Sequence, residues 1–185
     1  MDVRKIGMIA LVVVGCVAVA IAGALAFATT KPDTMSIQRE TTIDASPERV
    51  FALIDDFHNW KQWAPQDMDP NAITHTFSGL PSGVGAVSTW EGKGQIGKGR
   101  AEITQSTPGR LVVVRVDFER PFVAHNENRY VLMPEGSGTH VTWSMHGTNP
   151  YLAKVMSLVM NMDTMMGKHF ETGLANLKAA AEKPI

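Results

Sequence analysis

The chain has 185 residues, with 17 basic against 18 acidic side chains and 44% hydrophobic residues that are unevenly spread. Residues 6–28 carry no charge, which leaves about 150 residues for soluble structure, enough for one domain and too few for two. Balanced charge argues against a nucleic-acid binder, which needs clustered Lys and Arg to gain from counterion release, and the Trp, Phe, Val and Leu content after residue 34 argues against disorder.

As a helix rising about 1.5 Å per residue, the uncharged run reaches about 35 Å, enough to cross a hydrocarbon core of about 30 Å. Arg4 and Lys5 precede it, and Lys31 follows with Asp33 nearby. The positive-inside bias therefore predicts residues 1–5 in the cytoplasm, a transmembrane anchor at 6–28 and the remainder outside, in the periplasm if the cell is Gram-negative. Two other readings stand beside it. Ala24-Leu25-Ala26 and Ala26-Phe27-Ala28 satisfy the small-x-small pattern of a cleaved signal peptide, after which the domain would be secreted; the run is longer than the usual apolar region of about 7–15 residues. Val13-Val14-Gly15-Cys16 resembles a lipoprotein cleavage box, yet the apolar stretch continues to Ala28 where a polar tether is expected. Cys16 is the sole cysteine, which excludes an internal disulfide and a thiolate metal site.

Residues 29–34 read as a linker and 35–183 as the globular domain. β-branched residues at 36–43 predict a first strand. Ser46, Pro47 and Glu48 then predict a helix start, by capping, by a preset backbone angle and by a charge that suits the helix dipole. Val50, Phe51 and Ile54 give that short helix one apolar face, and a second short helix or turn carries Trp60 and Trp63. Strands are predicted at 72–78, 85–91, 98–106, 111–118, 123–133 and 139–146, separated by Gly/Pro turns that imply antiparallel hairpins. Val112, Val114, Val116 and Phe118 alternate with Arg115 and Asp117, so one face of the sheet is buried and the other wetted. The cover is 151–182, whose apolar residues recur in steps of three and four. Gly167 and Gly173 weaken this helix by about 1 kcal/mol each, which predicts a bend near 161–167.

Ser-Pro-Glu-Arg-Val-Phe (46–51), Asp-Phe-His-Asn-Trp (56–60), Trp-Ala-Pro (63–65), the glycine-rich 78–86, Trp-Glu-Gly (90–92) and Gly-Thr-His-Val-Thr-Trp (138–143) resemble the SRPBCC, or START-like, superfamily. The branch they are most similar to is the polyketide cyclase/dehydrase-like one, over about residues 36–182. This resemblance implies an α+β helix-grip fold: a seven-stranded antiparallel sheet wrapped around a long C-terminal helix, two short helices after the first strand, and an apolar cavity between sheet and helix. The N-terminal membrane helix stands apart from it. The motifs are specific for the fold and poor guides to chemistry, since one fold hosts many functions.

If such a cavity exists, its expected lining is Trp60, Trp63, Trp90, Asn126, Asn128, Tyr130, Trp143, Met162, Met166 and Phe170. The alternative for each Trp is plain core packing with the indole N–H on a carbonyl. Met156, Met160, Met162, Met165 and Met166 give the last helix a soft, adaptable surface. Asn126 and Asn128 share a face with Tyr130 and Leu132; if that face is inward, their amides need water, each other or a ligand, and the alternative is that both sit near the strand end in solvent. Two functions follow: a membrane-anchored domain that binds an apolar small molecule or lipid, or a cyclase/dehydrase-like enzyme, which requires an ionisable group in the pocket. The candidates for that group are Asp69, Glu91, His125 and Asp163. No spacing suits zinc, Gly92-Lys93-Gly94 lacks the P-loop pattern, and neither a cofactor nor a metal is expected.

Overall fold

Strands β1 and β2 lie at opposite edges of a single seven-stranded sheet of order β1-β7-β6-β5-β4-β3-β2, with every pair antiparallel. The computed structural model describes residues 3–65, 71–93, 96–120, 123–159 and 161–184, without the side chains of 3–10 and 162. In chain order the elements are α1 (Val3–Thr29), β1 (Thr34–Ile43), α2 (Pro47–Ile54), a 3-10 helix (Phe57–Gln62), β2 (Ile73–Gly79), β3 (Ala86–Gly92), β4 (Lys98–Thr107), β5 (Leu111–Arg120), β6 (Ala124–Glu135), β7 (Gly138–Thr148), α3 (Tyr151–Met156) and α4 (Met162–Ala181). They form two compact units, Met1–Asp33 with Asn149–Asn161, and Thr34–Thr148 with Met162–Ile185.

The second unit holds the core. Because β1 and β2 are at opposite edges, the connection between them must travel across the sheet, and α2 with the 3-10 helix does so over the inner face. Ser46 caps α2 by accepting the Arg49 N–H at 3.4 Å, with Pro47 at the first turn. Asp56 caps the 3-10 helix by accepting the His58 N–H at 2.8 Å. On β5, Val112, Val114 and Val116 are buried while Arg115 is exposed, as the alternation predicts. α4 supplies Phe170, Leu174 and Leu177 to the same core, all at most 2% exposed.

The two glycines of α4 mark close approaches. A Cβ on Gly173 would meet the Trp143 ring at 2.6 Å, and one on Gly167 would occupy the space of the Arg39 guanidinium. Arg39 reaches from β1 to two α4 carboxylates, Glu171 at 2.8 Å and Asp163 at 3.3 Å, and so clasps the helix to the sheet edge.

The helix expected over 151–182 is in fact two, and the interruption lies ahead of the expected bend. Ser157 N–H still bonds Ala153 O, but Leu158 and Val159 bond the carbonyls only three residues back, which tightens the turn and ends α3. Gly167 sits within α4, where the Arg39 contact accounts for it.

In the first unit, residues Leu11–Thr29 of α1 have a mean hydropathy of 2.7 and are long and apolar enough to cross a membrane. The segment after α1 is hydrogen-bonded to residues from the start of α3. Asn149 donates its N–H to Asp33 O at 2.7 Å and its Nδ2 to Pro32 O at 3.0 Å, and Lys154 Nζ meets Asp33 Oδ1 at 2.5 Å. The hydrogen bond from Lys154, and then its charge, hold the Asp33 carboxyl below the usual carboxylate range.

Candidate functional site

On the inner face of the sheet, the register aligns side chains in rows. One row runs Arg39, Trp143, Tyr130, Val112, and over it lies an aromatic cluster. Trp143 stacks on Phe170 with ring centroids 4.0 Å apart, meets Tyr130 at 5.1 Å and receives the edge of Trp63 at 5.8 Å, and Trp63 touches Trp60 at 5.1 Å. Such pairs add about 0.5–1.5 kcal/mol each beyond their buried area. All four indole N–H groups are satisfied: Trp60 on Ile54 O, Trp63 on Leu53 O, Trp90 on Ile96 O and Trp143 on Asn128 Oδ1. The residues expected to line a cavity here therefore pack chiefly against one another.

The parallel row toward the start of β1 is different. It runs Met35, Gly147, Asn126, Val116, Ala101, Ser88, Phe77, so three of its seven members are Gly, Ala or Ser. Asn128 and Asn126 both face inward with Tyr130, but their fates diverge. Asn128 accepts from the Trp143 indole at 3.1 Å. Asn126 Oδ1 is buried with no hydrogen-bond partner, lying over Gly147 where a Cβ would collide with it. A buried acceptor left unpaired costs about 1–3 kcal/mol. At the other end of the row Ser88, 4% exposed, bonds His75 Nδ1 at 3.0 Å, and His75 stacks on Phe77, which His58 of the 3-10 helix covers at 4.2 Å. Trp90 and Phe118 meet edge to face at 5.4 Å in the next row.

The described ionisable candidates lie at exposed positions. Glu91 is exposed and paired with Arg120 at 2.6 Å, His125 is exposed and paired with Asp117 at 2.7 Å, and Asp163 is exposed and held by Arg39. Glu91 and His125 occupy strand positions that alternate with the inward residues Trp90 and Asn126, so the two-residue period puts them outside. Asp163 lies in the first turn of α4, turned to the sheet-edge arginine. Met166 is half-buried against the core, while Asp69, Met160 and the Met162 side chain lie outside the described residues. His75 and Ser88 are the inward polar pair missed in the sequence, although the alternation of 73, 75 and 77 on β2 carries the signal. Among the described residues there is no group of three or more His, Cys, Asp or Glu that would hold a metal.

An open groove of about 760 Å³ lies elsewhere, between the start of α2 and the end of α4. Its polar groups bond each other, Asp44 N–H to Glu182 and Arg49 to the Lys183 carbonyl, so it presents no unsatisfied anchor of the kind Asn126 offers.

A seven-stranded antiparallel sheet gripping a C-terminal helix, with an inner face that mixes apolar and sparse polar groups, defines the helix-grip class. Within that class, residues 34–182 match the family described as polyketide cyclase / dehydrase and lipid transport, and the chain belongs to that family. No curated protein matches the chain. Among solved structures, a Chromobacterium violaceum protein is 16% identical, with a TM-score of 0.59 over 83% of this chain and 100% of its own. The Aha1 dimer from Colwellia psychrerythraea is 20% identical, with a TM-score of 0.55 over 80% of this chain and 96% of its own. The di-domain ARO/CYC protein BexL is 16% identical, with a TM-score of 0.62 over 85% of this chain and 53% of its own. At such identities these likenesses establish the fold alone.

Proposed function

We propose that this chain is a membrane-anchored binding protein that takes an apolar small molecule or lipid on the inner face of β2–β6, with Asn126 accepting a hydrogen bond from a hydroxyl or amine of the ligand. The observation that carries this reading is the buried, partnerless Asn126 Oδ1 in a row that includes Gly147, Ala101 and Ser88. A ligand donor would remove the penalty of that orphan acceptor, and the apolar row would take up the rest of the molecule. The family's description includes lipid transport, and the apolar α1 suits a protein working at a membrane with its domain outside the cytoplasm.

The test is native mass spectrometry of the full chain in detergent, wild type beside Asn126→Leu. Wild type is expected to retain a co-purifying apolar molecule that Asn126→Leu has lost while keeping the same fold by circular dichroism. Ligand-free wild type from several lipid-rich hosts, or equal retention by both proteins, would sink the proposal.

One observation favours a second reading, an enzyme of the cyclase or dehydrase kind: His75 and Ser88 place an ionisable group and a hydroxyl 3.0 Å apart on the same inner face. If His75 moves a proton in a dehydration, the molecule recovered from His75→Gln is heavier by one water than that from wild type. Identical masses end this reading and leave the first untouched.

A further inference from the structure

We infer that α3 and the turn after it, residues 151–159, lie in the interfacial layer of the bilayer that α1 enters; this rests on reading α1 as a membrane helix. Three observations within the first unit carry it. The first fixes depth. The Tyr151 hydroxyl donates to the carbonyl of Leu25 at 3.1 Å, and Leu25 stands one helical turn, about 6 Å, before the end of α1. The apolar run continues past that carbonyl to Ala28, so a group bonded to it sits at the hydrocarbon boundary rather than in bulk water.

The second is an inverted exposure pattern. In the 151–159 segment the apolar Leu152 and Val159 are 55% and 85% exposed and Tyr151 is 49% exposed, whereas the charged Lys154 is 6% exposed. On α1 beside them, Leu25 and Phe27 are also exposed, at 40% and 60%. Water would favour the reverse. A bilayer interface favours this arrangement, with aliphatic side chains in the acyl region and a tyrosine at headgroup level. The third concerns polar groups. Lys154 is neutralised by Asp33, the carbonyls of Pro32 and Asp33 are taken by Asn149, and the backbone N–H groups of Ser157, Leu158 and Val159 are bonded internally. The segment thus carries few unmet hydrogen bonds into a drier medium. Continuity with α1 is what selects the bilayer over a protein as the occupant.

The test uses the full chain in phosphatidylcholine vesicles, with an environment-sensitive fluorophore on a single cysteine at Leu152→Cys or Val159→Cys in a Cys16→Ala background. Native Cys16 in the otherwise unchanged chain is labelled as the report on α1, and Met133→Cys, at an exposed position on β6, is the aqueous control. Labels at 152 and 159 are expected to be quenched several-fold more strongly than the label at 133 by lipids carrying a nitroxide near the headgroup, and more than by lipids carrying it deep in the chain. Labels at 152 and 159 as accessible to water as that at 133, with the label at 16 deep in hydrocarbon, overturn the inference alone. Labels at 152 and 159 shielded from water and from both nitroxides point to a protein partner and overturn it too. A label at 16 found in water overturns the anchor reading and this inference together.

Discussion

Trp143 is held on three sides, by the Asn128 amide, by the flat face of Phe170 and by the backbone of α4 at Gly173. Alanine at 173 would gain up to about 1 kcal/mol in helix propensity. Overpacking a core site costs about 1–3 kcal/mol, and the atom in the way belongs to a ring that cannot swing aside. The packing term wins, so Gly173→Ala is expected to lower the Tm in thermal unfolding; a raised Tm would show that Trp143 has slack. Asp55 offers a test of opposite sign. It ends α2, accepts from Ser106 Oγ at 2.7 Å, and has its pKa raised by burial, with the Ser106 bond working against the shift and the neighbouring Asp56 charge adding to it. A carboxyl whose folded pKa lies above its unfolded value binds its proton more tightly when folded, so stability falls as pH rises through the interval between the two. At neutral pH its charge also opposes the negative end of the helix dipole. Asp55→Asn keeps an acceptor for Ser106 and removes the charge. Its Tm is expected to exceed that of wild type at pH 7, with the difference vanishing below about pH 4; a difference independent of pH would refute the electrostatic account.

At the scale of elements, α4 is fastened in two ways: Leu174 and Leu177 are buried in the core, and Arg39 clasps Glu171 and Asp163 nearer its start. The clasp is partly exposed, with side chains 26%, 58% and 65% accessible, so solvent screens it and its contribution to global stability is small. Its effect is local. Arg39→Gln is expected to raise amide hydrogen exchange over 163–171 while leaving exchange over 174–181 and the global Tm nearly unchanged; unaltered exchange over 163–171 would show that packing alone holds that half. The clasp also marks where sequence reading stops. Strands were legible because a two-residue period repeats within each, as in Val112, Val114 and Val116, and the start of α2 because Ser46 and Pro47 act on their immediate neighbours. Arg39 shares the inward phase of Ile37 and Ile43, but its partners are more than a hundred residues away and no local pattern names them. The division between α3 and α4 was hidden for a related reason. Their apolar spacing is continuous, and the stop depends on short-range backbone bonds and on packing of α3 beside α1. Of the candidate site, the shared phase of Asn126 and Asn128 with Tyr130 is legible, whereas its direction, and which of the two amides finds a donor, depend on the packed fold and on where the Trp143 indole lies.

For the molecule as a whole, the fate of α1 decides whether the proposed ligand-binding face works at a membrane or in free solution. Both small-x-small patterns end inside structure rather than in an exposed hinge: Ala28 is 0% exposed, the Leu25 carbonyl is bonded by Tyr151, and the threonines at 29 and 30 back-bond into the last turn of the helix. Cleavage after Ala26 or Ala28 would strip α3 of the partner that orients it and leave Tyr151 and Leu152 facing water. Retention of α1 is therefore the expected outcome. Peptide mapping of the native protein should recover a peptide that spans the bonds after Ala26 and Ala28 intact, and the protein should stay with membranes through an alkaline wash that strips peripheral proteins. A chain beginning at Phe27 or Thr29 and released into the soluble fraction would instead make α1 a signal sequence. The interfacial placement of α3 would then fall with the anchor, while the Asn126 site, built wholly within the other unit, would stand or fall on its own ligand.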